Sequence, residues 1–123
     1  MKNYLSNFDY AERKAMKITS LELIQLLQAD KAQLIDIRFR EEFEAWHMGI
    51  ARNIPLNELP ERLNEIDKNK VIVTACPHKD RAILGRIFLQ LNGFQSRYLV
   101  DGLIGLADAL RGDKAKSFIE KTG

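Results

Sequence analysis

Val71-Ile72-Val73-Thr74-Ala75-Cys76-Pro77-His78-Lys79-Asp80-Arg81 is an apolar, β-branched run that halts at a thiol and passes into charged residues. Five such residues ahead of a proline read as a buried strand. Beyond them, Leu84, Ile87, Phe88 and Leu91 recur at helical spacing, which predicts a helix from Arg81 to Asn92 with that apolar face inward and Gly93 as its stop. Cys76 therefore stands where a strand hands over to a helix. A sulfur at such a junction meets unpaired backbone N–H groups and the positive end of a helix dipole, both of which favour thiolate over thiol. The expected thiol pKa is depressed, with Lys79 and Arg81 adding to the effect. A cysteine in this place is either an inert buried hydrophobe or a nucleophile. The polar run Pro77 to Arg81 suits an open anion pocket better than a core, and so favours the nucleophile.

Working outward, Leu34-Ile35-Asp36-Ile37 reads as a second buried strand that delivers Asp36 and Arg38 at its end. A carboxylate there needs a partner, so Asp36 is expected to be paired with arginine or with loop N–H groups, and Asp36 and Arg38 to fix the strand ends and not to take part directly in catalysis. Glu41 to Trp46 predicts a short helix, Asn53-Ile54-Pro55 an extended stretch, Asn57 to Ile66 a helix, and Ser96 to Val100 a strand. Helices are expected at Leu103 to Arg111 and Asp113 to Lys121, separated by Gly112. Near the N-terminus, Thr19-Ser20-Leu21-Glu22 has capping-box spacing. Before it, Asp9-Tyr10-Ala11-Glu12 caps a short helix with an apolar stripe of Tyr4, Leu5, Phe8, Ala11 and Ala15. The expected division is an N-terminal helical appendage at 1–16, a compact domain at 17–111 and a C-terminal helix at 112–123. Strands alternating with helices, with uninterrupted apolar strands, imply a parallel sheet covered on both faces. Ligands of such sheets bind beyond the carboxyl ends of the strands, where Asp36, Arg38 and Cys76 converge.

At 123 residues with a net charge of +2, the chain suits one domain with one core, and its scattered basic residues do not point to nucleic acid. The lone cysteine forms no internal disulfide, so a reduced cytoplasmic setting is expected. His47 and His78 are isolated and give no metal-ligand spacing, and no apolar run approaches the ~20 residues of a membrane span. The expectation is therefore no metal, no cofactor and no membrane.

Several of these segments, in order, resemble the single-domain rhodaneses. Leu34-Ile35-Asp36-Ile37-Arg38 is similar to the family's L-[IL]-D-[VI]-R, and Glu42-Phe43 to its acidic-aromatic pair. His47 to Pro55 resembles H-I-P-G-A-x-N-I-P, and Val71 through Arg81 the strand and six-residue active loop. Asn92-Gly93-Phe94 and Val100-Asp101-Gly102-Leu103 resemble x-G-F and L-x-G-G. The resemblance implies a three-layer α/β/α domain with a central parallel sheet. It also implies a sulfurtransferase in which Cys76 takes a sulfane sulfur from thiosulfate or a persulfide, holds it as a persulfide, and passes it to cyanide, a thiol or a protein thiol. Pro77, His78, Lys79, Asp80 and Arg81 would form the substrate-binding loop.

Departures are visible. Pro77 removes one N–H donor, and His78 and Lys79 stand where many members carry small residues. Lys79 is either a solvated charge or an attractor of anionic donors. Two other functions compete. One is a binding or sulfur-carrier module without thiosulfate turnover, with the N-terminal appendage and the C-terminal helix as a partner or homodimer surface. The other is a cysteine phosphatase, disfavoured because that signature places arginine six positions after the cysteine, where this chain has Ala82.

Overall fold

Five parallel strands form one sheet in the order β1-β5-β4-β2-β3 in the computed structural model, which describes residues 1–122. The strands are β1 (Lys17–Ile18), β2 (Ala32–Asp36), β3 (Ala51–Asn53), β4 (Val71–Ala75) and β5 (Ser96–Leu99). Seven α-helices accompany them: α1 (Lys2–Ser6), α2 (Tyr10–Ala15), α3 (Ser20–Gln28), α4 (Arg40–Ala45), α5 (Asp80–Leu91), α6 (Gly102–Ala109) and α7 (Asp113–Thr122). Gly123, the last residue of the expected C-terminal helix, lies outside the described residues. No described helix is long and apolar enough to cross a membrane.

Side chains alternate across a strand, so β2 and β4 each feed two cores. Leu34, Val73 and Ala75 join Ile18, Leu23, Leu99, Leu103 and Leu106 on the face covered by α3 and α6. Ile35, Ile37 and Ile72 join Ala82, Leu89 and Phe94 on the α5 face. Continuing the same alternation, Cys76 follows Ile72 and Thr74 onto the α5 side, and belongs to that second core. The sheet thus aims the thiol at one helix.

The predicted architecture is present, and the capping box at Thr19 and Glu22 is formed in both directions. Four local expectations are corrected. Asn57 to Ile66 is not an α-helix but two 3-10 turns, Leu59–Glu61 and Leu63–Glu65. Pro60, mid-segment, has no N–H for an α-helical bond. The edge strand β1 was not expected; at two residues it is too short to show a period.

The third correction concerns α5, which buries Ala82, Gly85, Arg86 and Leu89 and leaves Leu84 and Leu91 exposed. Close approach decides its rotation: a Cβ on Gly85 would meet Thr74 Cγ2 at 3.3 Å and Ile37 Cγ2 at 3.7 Å. Small residues set the helix against the sheet, and the larger leucines are turned outward.

The N-terminus is the fourth. It holds two helices, the second capped by Asp9 through the Glu12 N–H at 2.9 Å. The apolar stripe is not its anchor, because Leu5 and Phe8 are exposed. Instead Arg86, buried in α5, donates to Glu12 Oε2 at 2.5 Å, to the Tyr4 hydroxyl at 3.1 Å and to the Ser96 carbonyl at 3.0 Å. A buried guanidinium requires such partners.

Arg86 is also the main reason that the Glu12 carboxyl lies below the ordinary glutamate range. A lowered folded-state pKa contributes stability that is present above the unfolded value, ~4.3, and is lost as pH falls through the folded value. Glu12→Gln is therefore expected to cost about 1–2 kcal/mol at pH 7. In denaturant titrations the difference from wild type should shrink as the pH is lowered past the glutamate range. A gap that persists undiminished in acid would rule out the charge as its source.

Candidate active site

Asp36 pairs in register with Ala75, so the ends of β2 and β4 lie side by side and the residues that follow each strand share one rim of the sheet. At the β2 end, the Arg38 guanidinium donates through Nε to Asp36 Oδ1 at 3.0 Å and through Nη2 to Asp36 Oδ2 at 2.7 Å. Both side chains are buried. Nη2 also donates to the Trp46 carbonyl at 2.8 Å, and the guanidinium carbon lies 4.3 Å from the Trp46 ring centroid. Asn53 Nδ2 donates to the carbonyls of Asp36 and Arg38, closing the turn. Asp36 and Arg38 thus brace the rim, and among the described residues no hydrogen bond joins either of them to Cys76.

At the β4 end the loop Cys76 to Lys79 leads into α5. Cys76 is fully buried, Pro77 and Arg81 are half-buried, and His78, Lys79 and Asp80 are exposed. Cys76 follows β4 four residues before α5 begins, and the backbone N–H groups of Ala82 and Arg81 in the first turn of that helix favour the thiolate of its sulfur. Thr74 Oγ1 donates to the Ala82 carbonyl at 2.7 Å and fastens the first turn of the helix to the strand. From the opposite side, the N–H groups of Leu103 and Ile104 at the start of α6 donate to the carbonyls of Cys76 and Pro77 at 2.9 and 3.4 Å. The loop carbonyls thus face one helix while the sulfur faces the N–H groups of another.

The sulfur's own titration differs from the sequence expectation. Burial pushes the Cys76 thiol up, and the Asp80 carboxylate adds to this. The N–H donors of Ala82 and Arg81 and the Arg81 charge pull it down, but burial prevails because the closed loop removes water from the thiolate. Lys79 is turned to solvent, and the Arg81 charge is largely answered by another partner. That partner is Glu42 of α4, bound through both guanidinium arms at 2.7 and 3.0 Å.

Three contributors were not assigned roles from sequence. Glu42 holds Arg81; Trp46 covers Arg38; and Gly102, at φ +69°, lies so close under the loop that a Cβ there would fall 2.2 Å from the Pro77 carbonyl oxygen. Glu42 and Gly102 had a signal only as motif letters and Trp46 had none, because the partner in every case lies tens of residues away or on another element.

Comparison with known proteins agrees on the segment that carries this geometry. The sequence profile described as a rhodanese-like domain matches residues 19–105. The uncharacterized protein YqhL of Bacillus subtilis is 42% identical over 72 residues, covering 58% of this chain and 57% of YqhL. The chain therefore spans little more than half of that relative. The thiosulfate sulfurtransferase GlpE of Pseudomonas syringae is 28% identical over 81 residues, covering 66% of this chain and 76% of GlpE. Among solved structures, a rhodanese-like domain protein from Staphylococcus aureus is 27% identical with a TM-score of 0.66, covering 73% of this chain and 89% of that one.

Proposed function

We propose, from the premise that this chain belongs to the rhodanese-like domain family, that it is a sulfurtransferase carrying a sulfane sulfur on Cys76. The observation that carries the reading is the place of Cys76, buried between the end of β4 and the start of α5, where the N–H groups of Arg81 and Ala82 favour its thiolate. Convergent backbone donors at a helix N-terminus are what a persulfide anion needs in order to survive until its acceptor arrives, with no metal or cofactor in the step. The donor is thiosulfate or a persulfide, and the acceptor is cyanide, a thiol or a protein thiol. A reduced, cytoplasmic setting suits a lone thiol of this kind. In this reading residues 17–111 perform the chemistry, and 1–16 and 112–123 are accessory.

The spacing from Cys76 to Arg81 also supports sulfur over phosphate. With arginine at the fifth position after the cysteine, the loop is too short to encircle a tetrahedral oxyanion. A binding module without turnover is separated from the enzyme by one experiment: exposure to thiosulfate or a small persulfide, then mass spectrometry of the intact chain. The expected result is a gain of one sulfur atom on Cys76 that cyanide removes. An unmodified chain after exposure to both donors would support the binding module.

Arg81 can serve either by binding an anionic donor or by organising the loop, and the two-armed bond to Glu42 supports the second role. Lysine cannot make that planar, paired bond. Arg81→Lys is therefore expected to lose sulfur transfer nearly as fully as Arg81→Ala, by about 10- to 100-fold. Near wild-type transfer by Arg81→Ala, with both thiosulfate and a neutral donor, would show that neither role is real.

A further inference from the structure

Cys76 Sγ is shut away from solvent, yet it lies 3.7 Å from Asp80 Oδ1, whose own side chain is exposed. One carboxylate thus connects a buried thiol with bulk water. Asp80 is the first residue of α5, so the helix that aims N–H groups at the sulfur also fixes the carboxylate beside it. We propose that Asp80 is a further catalytic residue, taking the proton of Cys76 as the sulfur attacks and returning it once the carried sulfur has left. The inference rests on the sulfurtransferase reading of Cys76 and adds the group that moves the proton.

The step balances without an added oxidant or reductant. The Cys76 S–H bond breaks, its proton goes to Asp80, and the sulfur's electron pair forms a bond to the outer sulfur of the donor. The bond between that outer sulfur and the rest of the donor breaks, and the departing sulfite or thiolate keeps the pair. When a thiophilic acceptor takes the outer sulfur, the electron pair of the S–S bond returns to Cys76 and Asp80 gives the proton back. Charge is the reason for the arrangement: the proton neutralises Asp80 as the anionic sulfur forms, so the two are not both negative at the moment of attack.

The other charged groups near the sulfur are already engaged or face elsewhere. Arg81 of α5 is held by Glu42 of α4, and Asp36 and Arg38 at the β2 end are paired with each other. On the α6 side, Asp101 accepts from the Ser20 N–H at 2.6 Å. His78 and Lys79 of the loop are exposed.

Single-turnover loading of Cys76 by thiosulfate, followed by mass spectrometry from pH 6 to 10, tests the proposal with wild type, Asp80→Asn and Asp80→Glu. If Asp80 merely opposes the thiolate, Asp80→Asn releases that opposition and loads as fast as wild type or faster at pH 7. If Asp80 takes the proton, Asp80→Asn loads about 100-fold more slowly at pH 7. The deficit then closes as rising pH ionises the thiol directly, and Asp80→Glu recovers part of the rate. Equal or faster loading by Asp80→Asn at pH 7, or a deficit that is the same at every pH, overturns the proposal. Failure of the sulfurtransferase reading looks different, since wild type then takes up no sulfur at any pH.

Discussion

Cys76→Ser is expected to reduce sulfur transfer to the uncatalysed background while leaving the fold in place. A serine oxygen cannot hold a sulfane sulfur, so no intermediate forms. The fold should tolerate the change because the two side chains differ little in volume. The serine hydroxyl also inherits a polar partner in Asp80, which already accepts from the thiol, so it is not buried without one. Thiosulfate or a persulfide as donor with cyanide as acceptor provides the assay, and thermal unfolding provides the control. Retention of activity by the serine protein would remove Cys76 from the mechanism, and with it the central step proposed for this chain.

Gly102→Ala is expected to have the largest effect among changes that leave every reacting group in place. Its φ of +69° is costly for any residue with a Cβ. The added atom would also fall 2.2 Å from the Pro77 carbonyl oxygen and 2.5 Å from that of His78. Both obstacles are backbone, so no side chain can turn aside, and the loop itself must shift. The combined cost is about 2–4 kcal/mol, read as a fall in melting temperature of about 10 °C. Sulfur transfer should drop as well, because displacement of the loop withdraws the N–H groups from Sγ. Gly93→Ala separates the two causes: its φ is +87°, but no atom lies within 4 Å of the added Cβ. It should pay only the backbone strain, about 1 kcal/mol, and keep its activity. Equal losses from both variants would mean that contact with the loop contributes nothing.

The apolar runs Leu34 to Ile37 and Val71 to Ala75 were enough to establish a buried parallel sheet, because a strand covered on both faces has no polar side to show. Their chemistry-bearing ends followed, since Asp36, Arg38 and Cys76 each come directly after a legible strand. The capping box at Thr19 was equally readable, as both of its hydrogen bonds span three residues. Features of this kind are local: their partners lie within a few positions, and the spacing alone brings them together.

The tertiary structure decided what depends on distance through space. Arg86 lay within a helical pattern that promised an apolar face, and only docking of α5 at Gly85 turned it inward to hold Glu12, 74 residues away. Arg81 finds its partner in Glu42, across the rim on α4, while Asp36 is closed against Arg38. The titration of Cys76 reversed for the same kind of reason. The pattern correctly indicated N–H donors and a nearby cation, both of which favour the thiolate. It carried no record of how completely the loop, α5 and α6 would exclude water, and desolvation is a property of the packed volume around an atom, to which elements far apart in the chain contribute together.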